Sequence, residues 1–114
     1  MSTPQSLIFD RGTSLYFGAE ALDEAGAPAN LLSVEAACTA EHKEGGDTQA
    51  LELVWVDRAE GRFEFWAPGD GLCTTWRLGT WEARIVYSKV GGGAGGRPLV
   101  LGTETMNLLI RKVP

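Results

Sequence analysis

Apolar and polar residues alternate with a period of two along most of this chain. In TSLYFGAEAL, Leu15, Phe17, Ala19 and Ala21 fall on one side, and Ser14, Tyr16, Gly18 and Glu20 on the other. Successive side chains of a β-strand point to opposite faces, whereas a helix returns to the same face every 3.6 residues. SVEAACTAE sets Val34, Ala36, Cys38 and Ala40 against Glu35, Thr39 and Glu41. ALELVWV sets Leu51, Leu53 and Trp55 against Glu52, Val54 and Val56, and GRFEFWA sets Phe63 and Phe65 against Arg62, Glu64 and Trp66. TWEARIVYS and ETMNLLI continue the pattern with Trp81, Ala83, Ile85, Tyr87, Met106, Leu108 and Ile110. No window sustains a helical period, so no helix beyond about two turns is expected.

The punctuation between these segments is turn chemistry. DEAGAP (residues 23–28) joins a glycine to a proline, and DRAEG (57–61) ends in Gly61, where a left-handed residue closes many hairpin loops. A tight hairpin there places Trp55 opposite Phe63 and Leu53 opposite Phe65. PGDGLCTTW lacks a period and is the expected place for one short helical turn, capped by Asp70 or Thr74. The apolar piece from Leu7 to Phe9 adds another strand. Six or seven strands at spacings of about 8–16 residues are the mark of an all-β sandwich or barrel. At 114 residues this is one domain, spanning 13–114, preceded by an N-terminal arm or first edge strand over 1–12.

One stretch invites a different reading. VGGGAGGRP carries a G-x-G-x-x-G at Gly91, Gly93 and Gly96. A dinucleotide fingerprint needs a following helix and an acid about 20 residues on. Here the β-patterned RPLVLGTETMNLLIRKVP follows, and no Gly-Lys-Ser/Thr completes a phosphate loop. Residues 91–96 are therefore expected to form a mobile, solvent-facing loop between the last two strands.

Other chemistry is equally poorly supplied. His42 is the only histidine and is expected in a solvated loop beside Glu41, Lys43 and Glu44, so neither a His-based metal cluster nor a hydrolytic triad can be assembled. The carboxylate pairs Asp23/Glu24 and Asp57/Glu60 lie in turns, not in facing positions. No enzyme activity, cofactor, metal or small-molecule ligand is expected. A net charge of −5 argues against binding nucleic acid, and no apolar run is long enough to span a bilayer. The N-terminal MSTPQSLIFDRG lacks a basic region and an apolar stretch, which points to synthesis in the cytoplasm. Cys38 and Cys73 fit no zinc or redox spacing and are expected as unpaired, small apolar groups.

The four tryptophans divide into two kinds. Trp55 and Trp81 fall on inward faces. Trp66 faces outward, and with Val54, Val56 and Val86 would form an apolar patch crossed by Arg62, Glu64, Glu82 and Arg84. Such patches often mark partner surfaces, the alternative being that this face packs against a loop or the N-terminal arm. The candidate interface is therefore Trp66, Arg62, Glu64, Val54, Val56, Arg84 and Val86. Trp66 and Trp76 also allow an alternative, a carbohydrate-binding module that stacks sugars on an exposed indole.

The order of motifs resembles a known family. A Gly-Thr-led strand (RGTSLYFGAEAL) leads to an acid-Gly-Pro turn and leucines (DEAGAPANLL). A hairpin bent at Asp and Gly (LVWVDRAEGRFEFW), a Thr-rich segment with an aromatic-led strand (TTWRLGTWEARIVY) and a last strand (RPLVLGTETMNLLI) follow. Over residues 11–111 this is similar to the immunoglobulin-like β-sandwich of tailed-bacteriophage virion proteins, as at the N-terminus of upper baseplate proteins that carry receptor-binding proteins. The resemblance implies a single antiparallel immunoglobulin-like sandwich of about seven strands that docks other virion proteins and has no catalytic residues. The chain ends at Pro114, directly after the last strand, where those proteins continue. A tail or baseplate adaptor or accessory is thus expected, present in the virion as a homo-oligomer or in many copies, with a capsid decoration protein as the alternative.

Overall fold

A computed structural model describes residues 5–89, 95 and 99–113. Every alternating segment forms a strand: β1 (Gln5–Asp10), β2 (Tyr16–Glu20), β3 (Val34–His42), β4 (Thr48–Asp57), β5 (Arg62–Trp66), β6 (Gly79–Lys89) and β7 (Leu99–Arg111). They are hydrogen-bonded in the order β1-β7-β6-β3-β4-β5-β2. β4 pairs with β3 through residues 48–51 and with β5 from Glu52 onward. This one strand thereby belongs to two layers, and the sheet folds over along it into a sandwich-like arrangement.

The core fills the space between the layers. Phe17 on β2 and Phe63 and Phe65 on β5 are buried, as are Trp81 and Ile85 on β6 and Leu108 and Ile110 on β7. Phe63 lies 6.0 Å, centroid to centroid, from Tyr87 on β6, a strand to which β5 is not hydrogen-bonded. That contact joins the layers face to face. Leu53 pairs with Phe65 and Trp55 with Phe63, the register expected of the hairpin. Gly61 closes it at φ 72°, where an added Cβ would lie 2.6 Å from the Ala21 carbonyl oxygen. Only glycine meets both demands.

Three expectations need correction. The strands are not all antiparallel: β1 runs parallel to β7, pairing Leu7 with Leu108 and Asp10 with Arg111. Parallel neighbours need a long crossover, and here almost the whole domain supplies it. The Arg111 guanidinium donates to the Asp10 carboxylate at 2.6 Å, and the Arg11 N–H to the Arg111 carbonyl at 2.9 Å, so this edge is tied down. Second, residues 67–78 contain no helical turn; the Asp70 carboxylate instead accepts from the Leu72 N–H across a turn. The 3-10 turn is at Arg58–Glu60, capped by the Asp57 side chain, which accepts from the Glu60 N–H.

Third, His42 is not in a solvated loop. It is the last residue of β3 and is buried, continuing the inward face of Ala36, Cys38 and Ala40. Its Nδ1 accepts from the Gly45 N–H at 2.7 Å and its Nε2 lies 2.9 Å from the Leu78 carbonyl oxygen. With Nδ1 accepting, Nε2 carries the proton and donates it to Leu78. Beside this turn Arg77 donates to both carboxylate oxygens of Asp47, at 3.2 and 3.1 Å, and holds that carboxyl below its ordinary value. Cys38 and Cys73 are both free and buried. The expected loop at 91–96 lies outside the described residues, apart from residue 95; its flanks form a hairpin in which Ser88 pairs with Val100.

Candidate interaction surface

The outer face of the β4–β5–β2 layer is set by the same alternation that buries Phe63 and Phe65. Residues between the inward ones point away from the core: Arg62, Glu64 and Trp66 on β5, and Tyr16, Gly18 and Glu20 on β2. Pairing brings them into rows, Tyr16–Trp66–Glu52, Gly18–Glu64–Val54 and Glu20–Arg62. Val54 and Val56 are exposed, at 44% and 58%. A shallow groove of about 360 Å³ runs over this face between Gly18, Glu20, Val56, Arg62 and Glu64. Five of the seven expected residues, Trp66, Arg62, Glu64, Val54 and Val56, are therefore neighbours.

Trp66 anchors the face. Tyr16 stacks on its indole at 4.3 Å between centroids, with the planes 10° apart, and its Nε1–H donates to the Glu64 carboxylate at 3.1 Å. Glu52 accepts from the Gly69 N–H at 3.1 Å, which holds the following turn against the layer. Exposed valines beside tethered carboxylates and the Arg62 guanidinium suit a protein surface with a polar rim. Tyr16 and Glu52 were not among the expected residues. Their signal was available, since each occupies an outward position opposite Trp66.

Arg84 and Val86 belong elsewhere. They lie on β6 on either side of inward Ile85, opposite Thr39 and Ala37 of β3 and Thr105 and Thr103 of β7. That is the outer side of the other layer, so they do not join Trp66. Trp76 is also displaced from its expected role: it is 2% exposed and packs on Trp81 at 4.7 Å, out of reach of a sugar.

A second apolar region lies at the end of the sandwich. Leu22, Leu31, Val34, Tyr87, Leu101 and Glu104 line a groove of about 240 Å³, with Leu22 and Leu101 exposed. Burial there, together with the neighbouring Glu104 carboxylate, raises the Tyr87 phenol above its ordinary value. Among the described residues no group of three or more His, Cys, Asp or Glu is placed to hold a metal ion, and no helix is long and apolar enough to cross a membrane.

No family model matches the chain. No curated protein matches it either. Among solved structures it is similar to the N-terminal domain of ORF48 of phage TP901-1, with a TM-score of 0.58 and 18% sequence identity. The similarity covers 96% of this chain and 86% of that one. At this identity the likeness bears on the fold, and the all-β architecture described above is one that a phage protein domain also adopts.

Proposed function

We propose that this chain is a non-enzymatic structural protein of a tailed-phage or prophage particle, an immunoglobulin-like sandwich that serves as a tail or baseplate adaptor or accessory. The carrying observation is the fold-level likeness to the TP901-1 ORF48 N-terminal domain over 96% of the chain. The motif order over residues 11–111 points the same way. In this reading the chain is made in the host cytoplasm, joins the virion in several copies, and docks other virion proteins through the outer face of the β4–β5–β2 layer. Rigid sheets offer such contacts without any chemistry, and symmetry multiplies weak contacts into avid ones. The sugar-binding alternative draws no support from a buried Trp76 or from a Trp66 with one face taken by Tyr16.

The test is a cryo-EM map and protein inventory of particles from the phage or lysogen that encodes the chain. Density for this sandwich at the tail or baseplate is the expected result. Density on the head would replace the adaptor with a decoration protein. Purified particles that lack the chain altogether would overturn the virion reading.

A further inference from the structure

β2 ends the strand order, so among the described residues one of its edges has no strand partner. The Ala67 N–H donates to the Leu15 carbonyl and the Ala21 N–H to the Gly61 carbonyl, each at 2.9 Å. Along an antiparallel ladder, residues bonded to the neighbour alternate with residues whose backbone groups point the other way. With Leu15 and Ala21 bonded toward β5, so are Phe17 and Ala19. Tyr16, Gly18 and Glu20 then turn their N–H and C=O groups to the free edge. At the two ends of β2 the Leu15 N–H also donates to the Gly71 carbonyl and the Ala21 carbonyl also accepts from the Ala29 N–H, so these residues too direct their backbone groups away from the free edge. Among the described residues no strand is bonded to this edge of Tyr16–Glu20, which is centred on Gly18, and a groove of about 440 Å³ lies between Tyr16, Phe17 and Gly18 and Leu7, Ile8 and Phe9 of β1.

Gly18 is not needed by the fold that contains it. Its φ is not positive, and an added Cβ would meet nothing nearer than the Phe63 carbonyl oxygen at 4.0 Å. Glycine inside a strand weakens it and often marks the close approach of another backbone. β2 is short and carries one charge, Glu20, but has no lysine, proline or register shift, three of the devices that keep natural sheet edges from pairing.

We propose that β2 pairs with β2 of a second copy of this chain, antiparallel and two-fold symmetric about Gly18. In that register Gly18 faces Gly18 of the partner subunit, and Tyr16 faces Glu20 of the partner subunit. All three outward-turned residues then exchange both backbone bonds. The glycines keep the axis clear of side chains, the phenol faces a carboxylate that can accept a hydrogen bond from it, and the two Glu20 carboxylates never oppose one another. On the inward side Phe17 faces Ala19 of the partner subunit, large against small. The joined layer carries the Trp66–Glu64–Val54 face of both copies as one surface. Such a short seam gives a weak dimer, populated between micromolar and millimolar protein. The inference does not depend on the chain being a virion protein.

Amide hydrogen exchange at rising concentration, read beside sedimentation, tests it. In dilute protein the amides of Tyr16, Gly18 and Glu20 exchange fast while those of Phe17 and Ala19 are protected, and dimer formation slows the first set. Gly18→Pro removes a donor from the free edge and no bond to β5, so it abolishes dimerisation while the folded spectrum is kept. Gly18→Lys and Gly18→Asp place like charges on the axis and are monomeric alone, but mixing the two restores a dimer. Wild-type protein that stays monomeric at every concentration overturns the proposal. So does a dimer that forms without protecting Tyr16, Gly18 and Glu20, or that persists in these folded variants. The wild-type exchange pattern decides the matter even if a variant fails to fold.

Discussion

Tyr16 lies flat on Trp66, ring centroids 4.3 Å apart, across the β2–β5 ladder. The two residues are directly opposite, so the stack links the edge strand to its neighbour beyond the backbone bonds. Stacked aromatic pairs contribute about 0.5–1.5 kcal/mol beyond their area burial. A double-mutant cycle of Tyr16→Ala and Trp66→Ala, followed by urea unfolding, should return a coupling energy in that range. Strictly additive variants would mean that the rings are adjacent without stabilising each other.

His42 makes the second prediction, because the groups it serves have no alternative partner in the turn. His42→Ala strands the Gly45 N–H and the Leu78 carbonyl and leaves a void beside Trp81, 5.3 Å away edge-on. A loss of about 2–4 kcal/mol is expected from the cavity and the unpaired groups together. Gly79→Ala should also destabilise, since φ there is +119° and the new Cβ would lie 2.9 Å from His42 Nε2. Combined, the two changes should cost less than their sum, because removing the imidazole relieves the clash. Thermal unfolding of the three variants checks this.

The strands were legible because each carries one buried and one exposed face, and period two reports that directly. Alternation also contained the placement of His42, which shares parity with Cys38 and Ala40; its charged neighbours Glu41, Lys43 and Glu44 masked the signal. What alternation cannot encode is layer. It sends Trp66 and Arg84 outward from their own strands equally well, yet β5 and β6 lie in different layers, so the expected patch divides. The parallel β1–β7 pair was illegible for a related reason, since strand direction at an edge depends on partners distant in sequence. Trp76 had no period around it to reveal its burial.

Alkaline pH should weaken the fold through Cys38. Burial pushes its thiol from an ordinary 9.0 up to about 12. Between those values the unfolded chain has lost the proton and the folded one keeps it. The folded state then binds more protons, and stability falls as pH rises. The contribution is intact below pH 9 and is lost through the range up to about 12. Where the difference is complete, the slope is about 1.4 kcal/mol per pH unit for this one group. Cys38→Ala should flatten the decline in melting temperature above pH 9, leaving the part due to Tyr87, whose pKa is also raised by burial. An unchanged pH profile in Cys38→Ala would remove the thiol as the cause.

Arg58 ties the loop before β3 to the β4–β5 hairpin, and two kinds of interaction compete for the credit. Its guanidinium donates to the carbonyls of Leu31 and Val34, each at 2.8 Å, and stands 4.4 Å over the Trp55 ring. It also meets the Glu35 carboxylate at 2.9 Å, but that side chain is 48% exposed. Exposed ion pairs contribute at most about 1 kcal/mol, whereas part-buried hydrogen bonds from a charged donor contribute about 1.5–3 kcal/mol each. Glu35→Gln should therefore be nearly neutral. Arg58→Lys should lose about 1–2 kcal/mol despite keeping the charge, because an ammonium cannot reach both carbonyls in the planar geometry that also covers Trp55. Urea unfolding of the two variants separates the cases: equal losses would assign the stabilisation to the salt bridge, and a loss confined to Arg58→Lys assigns it to the carbonyls and the indole.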